Sequence, residues 1–405
     1  MSTLPRFFAV CCALLFACSS SPEASDAMGD QTDPVDQSPT EQAPSAPAAP
    51  ASETGTEVSK PPDPNAIVVP KENLEKWVWV PIPSMRCSDD TPSGVGVNFT
   101  DKSRDLMIFF MGNGACFNQV SCSGVSSLLG GMGDDPLNHM WWENPAIGEN
   151  FVFARNDANN PFRNTNFVVL PHCTVDGHSA DKDSLYLGVG RVHQHGYRNV
   201  TEALKRVVPT FRDATRIVAM GYSAGGIGVM TNYHQIATAF EGIGKPSPFL
   251  INDSGPILRR PYLSAIGEKS LIHGWALDKT LGSFCPKCMT DGLASVTETL
   301  LTLHPGMRSA VLSSYQDEVA TLLYRVINID VNVFDDERLK RGLLDLEADL
   351  SKKQGTFGKS VHRSYFFPGT AHGAIFGEPR PFKGDLATFV NAQLSGDATW
   401  KSYLK

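Results

Sequence analysis

Gly221-Tyr222-Ser223-Ala224-Gly225 sets a serine among small residues, behind the apolar, β-prone run 215–220 and ahead of Gly226-Ile227-Gly228-Val229-Met230. Strand, G-x-S-x-G and helix in that order predict a nucleophile elbow, a strained turn that holds a serine Oγ clear of the backbone. Gly221 and Gly225 flank the turn where a Cβ would collide with the neighbouring strand or helix. In a chain with 35 glycines the bare motif also arises by chance, as a turn without chemistry; the flanking strand and helix favour the elbow. A serine hydroxyl becomes a nucleophile only when a base takes its proton. Histidine has the pKa for that, and a carboxylate fixes its tautomer and stabilises the imidazolium.

Both partners are available downstream. Ser314-Tyr315-Gln316-Asp317 follows the apolar run 309–313, and Pro368-Gly369-Thr370-Ala371-His372-Gly373 follows 364–367. The order Ser223, Asp317, His372 is the order of α/β-hydrolases. Of ten histidines, His372 lies just past a strand, before a glycine, at the C-terminal place such a fold requires. Asp253, in Asn252-Asp253-Ser254-Gly255, competes for the acid but comes one strand early; it is expected to brace the pocket rim instead. After 106–111 comes Gly112-Asn113-Gly114-Ala115-Cys116, a turn that can aim backbone N–H groups at a developing oxyanion. The expected donors are Gly114, Ala115 and Ala224. With histidine as the base, turnover is expected to fall at acid pH.

These groups need a scaffold. Apolar runs at 106–111, 166–170, 217–220, 249–252, 309–313 and 364–367 alternate with helical patterns at 200–208, 226–240, 291–303, 319–329 and 337–352. Continuous apolar strands alternating with helices predict an α/β domain, α/β-hydrolase-like, with a mostly parallel central sheet and helices on both faces. Ligands then sit beyond the carboxyl ends of the strands, where all the residues named above fall. One catalytic domain is expected over 67–405. Residues 1–17 read as a signal peptide, with Arg6 ahead of an apolar stretch too short to span a bilayer. Leu15-Phe16-Ala17-Cys18 resembles a lipobox, which would make Cys18 a lipidated first residue; ordinary secretion is the alternative. Residues 18–66, rich in Ser, Pro, Ala and Glu, cannot bury enough apolar surface to fold and read as a tether.

A formal net charge of −8 and the lack of a basic stripe argue against nucleic acid as partner. The membrane is expected to be met through the lipid anchor alone, and the domain to act as a monomer. Cys87, Cys116, Cys122, Cys173, Cys285 and Cys288 form an even set that reads as disulfides in an exported protein. Sequence closeness favours Cys116–Cys122 and Cys285–Cys288 and leaves Cys87–Cys173, one of fifteen possible pairings. Cys285-Pro286-Lys287-Cys288 could also be a redox motif or half a zinc site, but nothing answers it elsewhere. His193-Gln194-His195 has the strand spacing of a metal pair. No third ligand is evident beside it, so neither metal nor cofactor is expected. Trp77, Trp79, Trp141, Trp142 and Trp275 are compatible with a sugar surface, although Trp77-Val78-Trp79 reads better as a strand packed on the core. Asn98 and Asn199 stand in glycosylation sequons that matter only in a eukaryotic host.

Together these segments resemble the pectin acetylesterase/Notum family of carboxylesterases. Cys87-Ser88-Asp89-Asp90-Thr91-Pro92 is similar to the family's Cys-x-Asp-Gly-[Thr/Ser]-Pro opening, with Asp90 in place of glycine. Gly112-Asn113-Gly114-Ala115-Cys116 resembles its Gly-Gly-Gly-Trp-Cys turn, and His172-Cys173-Thr174-Val175-Asp176 its Tyr-Cys-[Thr/Ser]-x-Asp segment. Gly221-Tyr222-Ser223-Ala224-Gly225-Gly226 and Asp253-Ser254-Gly255 complete the series. The resemblance implies an α/β-hydrolase-like fold, disulfides, no metal, and hydrolysis of small O-acyl esters, often acetyl groups on pectin. It implies Ser223, Asp317 and His372 as the catalytic residues. Asn113 and Ala115 depart from the pattern, which bears on pocket shape and on the acyl group accepted. A lipase or longer-chain carboxylesterase on the same triad is the rival enzyme; a tethered binding protein that kept the fold without catalysis is the rival of another class.

Overall fold

A computed structural model describes residues 63–123, 151–328, 334–375 and 383–405. Leu106, Ile108 and Phe110 of one short apolar run face one hydrophobic cluster, while Met107 and Phe109 face another. That alternation is what a strand covered on both faces requires. The strand is β3, Leu106–Phe110, and it lies inside a nine-stranded sheet. In chain order the strands are β1 (Val78–Arg86), β2 (Pro92–Asn98), β3, β4 (Asn166–Leu170), β5 (Lys182–Tyr186), β6 (Gly190–Gln194), β7 (Ile217–Tyr222), β8 (Phe249–Asp253), β9 (Arg308–Ser314), β10 (Val361–Phe367) and β11 (Tyr403–Leu404).

The large sheet runs β1-β2-β4-β3-β7-β8-β9-β10-β11, and β5 pairs with β6 in a separate hairpin. From β4 to β11 every pairing is parallel; β2 alone runs against its neighbours β1 and β4. The helix Ala224–Glu241 buries Val229, Met230, Tyr233, Ile236, Ala237 and Phe240 against one face. Gly384–Leu394 covers the other with Phe389, Val390 and Leu394. This is the expected α/β layering.

The differences from the sequence reading are local. β7 runs two residues past the expected end at 220, because Gly221 and Tyr222 continue to pair with Asn252 and Asp253. The helix expected over 291–303 begins only at Ser295. The helix Ala265–Trp275, N-capped by Ser264 whose side chain accepts from Gly267 N–H, had no clear sequence pattern. Cys87–Cys173, Cys116–Cys122 and Cys285–Cys288 are bonded. The first joins the end of β1 to the loop after β4 across 86 residues of sequence. Among the described residues no helix is long and apolar enough to cross a membrane. Cys18, the 1–17 and 18–62 segments, Trp141 and Trp142 lie outside the described residues.

Candidate active site

Ser223 sits between β7 and the helix Ala224–Glu241 with φ 57° and ψ −124°. A left-handed non-glycine residue costs of order 1–3 kcal/mol and persists only where its surroundings hold it. Here Ser223 N–H donates to the Asp253 carbonyl at 2.8 Å, and the Ser223 carbonyl accepts from Gly226 N–H at 2.8 Å. A Cβ on Gly221 would run into the Gly225 carbonyl, so the turn closes only with glycine there. The strained backbone and the crossing of strand into helix are those of a nucleophile elbow.

The turn after β3 lies against this elbow. A Cβ on Gly112 would stand 2.5 Å from the Tyr222 carbonyl oxygen and 2.6 Å from Ser223 Cβ. Of the three amides expected to bind an oxyanion, Gly114 N–H already holds an acceptor, the Asn113 side-chain oxygen at 2.9 Å. Ala224 opens its helix, so its N–H belongs to the first turn, which has no intrahelical acceptor. Ala115 is buried in the same turn. Both ends of the turn are anchored. The Met111 carbonyl accepts from His178 Nε2 at 2.9 Å. The Cys116 carbonyl accepts from Gln194 Nε2 at 2.6 Å and Trp275 Nε1 at 2.8 Å. Trp275 is therefore a buried brace rather than a sugar platform, while Trp77 and Trp79 pack on the core of the opposite face. The sequon asparagines are buried and bonded too, Asn98 to Arg155 and Asn199 to the Arg86 backbone.

Asp317 is fully buried just beyond β9 and caps the helix Glu318–Ile327, with Oδ1 accepting from Ala320 N–H at 2.8 Å. Its two oxygens also receive His372 Nδ1, at 2.9 and 2.8 Å. A proton on Nδ1 leaves Nε2 as the basic nitrogen. That Nε2 is buried and has no hydrogen-bond partner among the described residues. A buried ring nitrogen without a partner calls for explanation, and a catalytic base awaiting a proton is one.

Asp253 does not touch His372's ring. Its carboxylate accepts Ala374 N–H at 2.7 Å and Ile375 N–H at 2.9 Å, and the neighbouring Ser254 Oγ accepts Gly373 N–H at 2.9 Å. Ser314 Oγ donates to the Ala371 carbonyl at 2.7 Å, and the Tyr222 hydroxyl to the His372 carbonyl at 3.2 Å. Burial, with the Asp253 and Asp317 charges adding, pushes the Tyr222 phenol well above its usual range and keeps it a donor. Four side chains thus fix, through five hydrogen bonds, the backbone around one histidine. Asp253 bonds the loop and Asp317 the ring. Tyr222, Ser254 and Ser314 escaped sequence reasoning, since their spacing shows nothing until strands β7, β8 and β9 lie side by side.

Beneath the turn after β3 two histidine rings lie tilted against each other, His172 and His178, with centroids 4.7 Å apart. Burial pushes His178 down to about 4, and burial followed by the His178 charge lowers His172. A histidine whose folded pKa lies below its unfolded value of about 6.5 binds more protons unfolded, so its stability contribution is lost as pH falls from 6.5 toward 4. For His178 the loss between pH 7 and pH 5 is about 2 kcal/mol. Asp176, raised by burial to about 7, titrates in the opposite sense, but it does so in both proteins compared. His178→Gln keeps a donor for the Met111 carbonyl. Urea unfolding at the two pH values should therefore show an acid loss about 2 kcal/mol smaller in this variant than in the native protein. Equal losses would mean that His178 is not held neutral.

Fold and elbow together define a protein of the α/β-hydrolase fold. Among solved structures the chain resembles the Wnt deacylase Notum from Drosophila, with a TM-score of 0.56 and 18% identity over 81% of this chain and 95% of that chain. That likeness speaks to the fold. Residues 81–258 match the family model described as Pectinacetylesterase. Palmitoleoyl-protein carboxylesterase NOTUM of Mus musculus is 25% identical over 170 residues, 40% of this chain and 32% of that protein. The Homo sapiens protein of the same name is 22% identical over 169 residues, again 40% and 32%. The match thus spans about a third of the length of these curated relatives. Over this central segment the chain is similar to the pectin acetylesterase/Notum family of carboxylesterases.

Proposed function

We propose that this protein is a serine carboxylesterase that hydrolyses small O-acyl esters, acetyl first, on a polysaccharide such as pectin. The observation that carries the reading is the His372 ring, tethered through Nδ1 to Asp317, with an Nε2 that has no hydrogen-bond partner among the described residues, on the rim that holds Ser223. In the proposed reaction Nε2 takes the Ser223 proton as Oγ bonds to the ester carbonyl carbon. The carbonyl electron pair moves onto oxygen, where the amides of Gly114, Ala115 and Ala224 receive it. At Gly114 the Asn113 side chain stands in for that oxygen and swings away as substrate enters. Collapse breaks the bond to the sugar oxygen, which leaves with the proton from His372. Water repeats the cycle on the acyl-enzyme and frees the acid. Outside the cytoplasm, where its three disulfides are at home, the monomeric domain hangs from lipidated Cys18 by its Pro- and Ser-rich tether.

The names of the mouse and human relatives favour a second reading, a longer acyl chain handled by the same three residues. Rates on p-nitrophenyl esters of increasing chain length, with acetate release from acetylated pectin, separate the two. The first reading requires the highest kcat/KM on acetyl and acetate freed from the polymer. A rate that climbs toward long chains with no acetate release overturns it in favour of the second.

A further inference from the structure

The hairpin of β5 and β6 brings four residues together that no catalytic step uses. Asp183 pairs directly with His193 across the hairpin, and the same register carried one step outward sets Asp181 opposite His195. In an antiparallel pair, residues two apart share a face. Asp181-Lys182-Asp183 and His193-Gln194-His195 therefore stack two acids against two imidazoles. The sequence reading set a metal aside for want of a third ligand; the hairpin supplies one from ten residues upstream. Its signal was a D-x-D and an H-x-H at matched distances from one turn.

The donor atoms converge. Asp183 Oδ1 lies 2.8 Å from His193 Nδ1 and 3.1 Å from His195 Nε2. The other nitrogen of His195, Nδ1, lies 2.8 Å from Asp181 Oδ1, and Arg198 holds that same oxygen at 2.7 Å. A neutral imidazole carries one proton. Given to Asp181, it leaves the Nε2 lone pair of His195 facing a carboxylate oxygen, and a cation must stand between them. A proton can be that cation, but two imidazoles share this one oxygen. A carboxylate that orients a histidine through its far nitrogen is the usual support of a metal-bound imidazole.

We propose that His193 Nδ1, His195 Nε2 and Asp183 Oδ1 bind a divalent transition-metal ion, zinc foremost, with Asp181 as the orienting partner. One ligand atom from each of the three residues lies within 4.8 Å of the others. A tetrahedral zinc with ligands at about 2.0–2.1 Å needs them about 3.4 Å apart, a spacing within the observed range. Two imidazoles select such an ion over magnesium or calcium, which prefer oxygen. Asp183 is exposed, so water completes the fourth position. The ion would tie the hairpin's two strands together. On the hairpin's other side Gln194 accepts from Ser184 and donates to the Cys116 carbonyl, at the far end of the oxyanion turn.

The test uses the full chain, freed of metal by chelator dialysis and titrated calorimetrically with Zn²⁺, and separately with Co²⁺ while visible absorption is recorded. The account requires one ion per chain, tetrahedral ligand-field bands with Co²⁺, and a thermal midpoint raised by Zn²⁺ but not by Mg²⁺ or Ca²⁺. His195→Ala and His193→Ala should lose the bands and the midpoint shift, while Asp181→Asn should weaken binding about 10–100-fold. Far-UV circular dichroism of each variant checks that it folds. Zinc that binds the variants as it binds the native chain, or a native chain that shows neither heat nor bands, would overturn the site and leave the cluster as histidine–carboxylate ion pairs.

Discussion

Ser223→Ala is expected to lower kcat on p-nitrophenyl acetate by roughly 10⁴–10⁶-fold, the range seen when a serine hydrolase loses its nucleophile. The size of the effect follows from what the turn is for. A left-handed backbone at Ser223, held by Asp253 and Gly226 and closed by Gly221, keeps one hydroxyl proud of the sheet. Alanine occupies the same φ and ψ and makes the same main-chain bonds, since no side-chain cap is lost at this helix start. The variant should therefore unfold at the same urea concentration as the native chain. Turnover that survives the change within tenfold would remove Ser223 from the reaction.

The second large effect separates the two buried aspartates. Asp317→Asn should cost about 10⁴ in kcat, because the amide can donate to Nδ1 and so favours the tautomer with its proton on Nε2, facing the serine. KM should change little, as nothing at Asp317 reaches toward substrate. Asp253→Asn acts differently. An amide oxygen can accept one of the Ala374 and Ile375 N–H groups, but its NH₂ then opposes the other. A buried N–H left without an acceptor costs about 1–3 kcal/mol, so this variant should lose stability as well as rate. If Asp253→Asn proved the more damaging to kcat while keeping full stability, the acid would have been assigned to the wrong strand.

Much of this was legible before any coordinates. The elbow could be read because strand, small residues and helix are contiguous, and strained turns demand particular residue types. The pairing of Asp317 with His372 could be read because each follows a strand of uninterrupted apolar character, and in a parallel sheet all such strand ends share one rim. Elements with half-exposed faces were harder. β5 and β6 are mostly polar, and the exposed Leu185 of β5 and Leu187 of the turn stand apart from any apolar run, so none announced them. Contacts between distant segments were harder still. Nothing in the chain says that the Tyr222 hydroxyl reaches the His372 carbonyl, or that Asp253 grips the two amides beyond it. The Asn113 side chain on Gly114 N–H belongs to the same class: a departure from the family's glycine that shows its consequence only once the turn is folded.

Fluorophosphonate labelling followed by peptide mapping tests the central claim most directly. The account predicts one phosphonylated residue per chain, Ser223, formed rapidly in the native protein and slowed severalfold or more in Asp317→Asn. A chain that hydrolyses acetyl esters yet carries no label on Ser223, or carries it on another residue, would contradict the account.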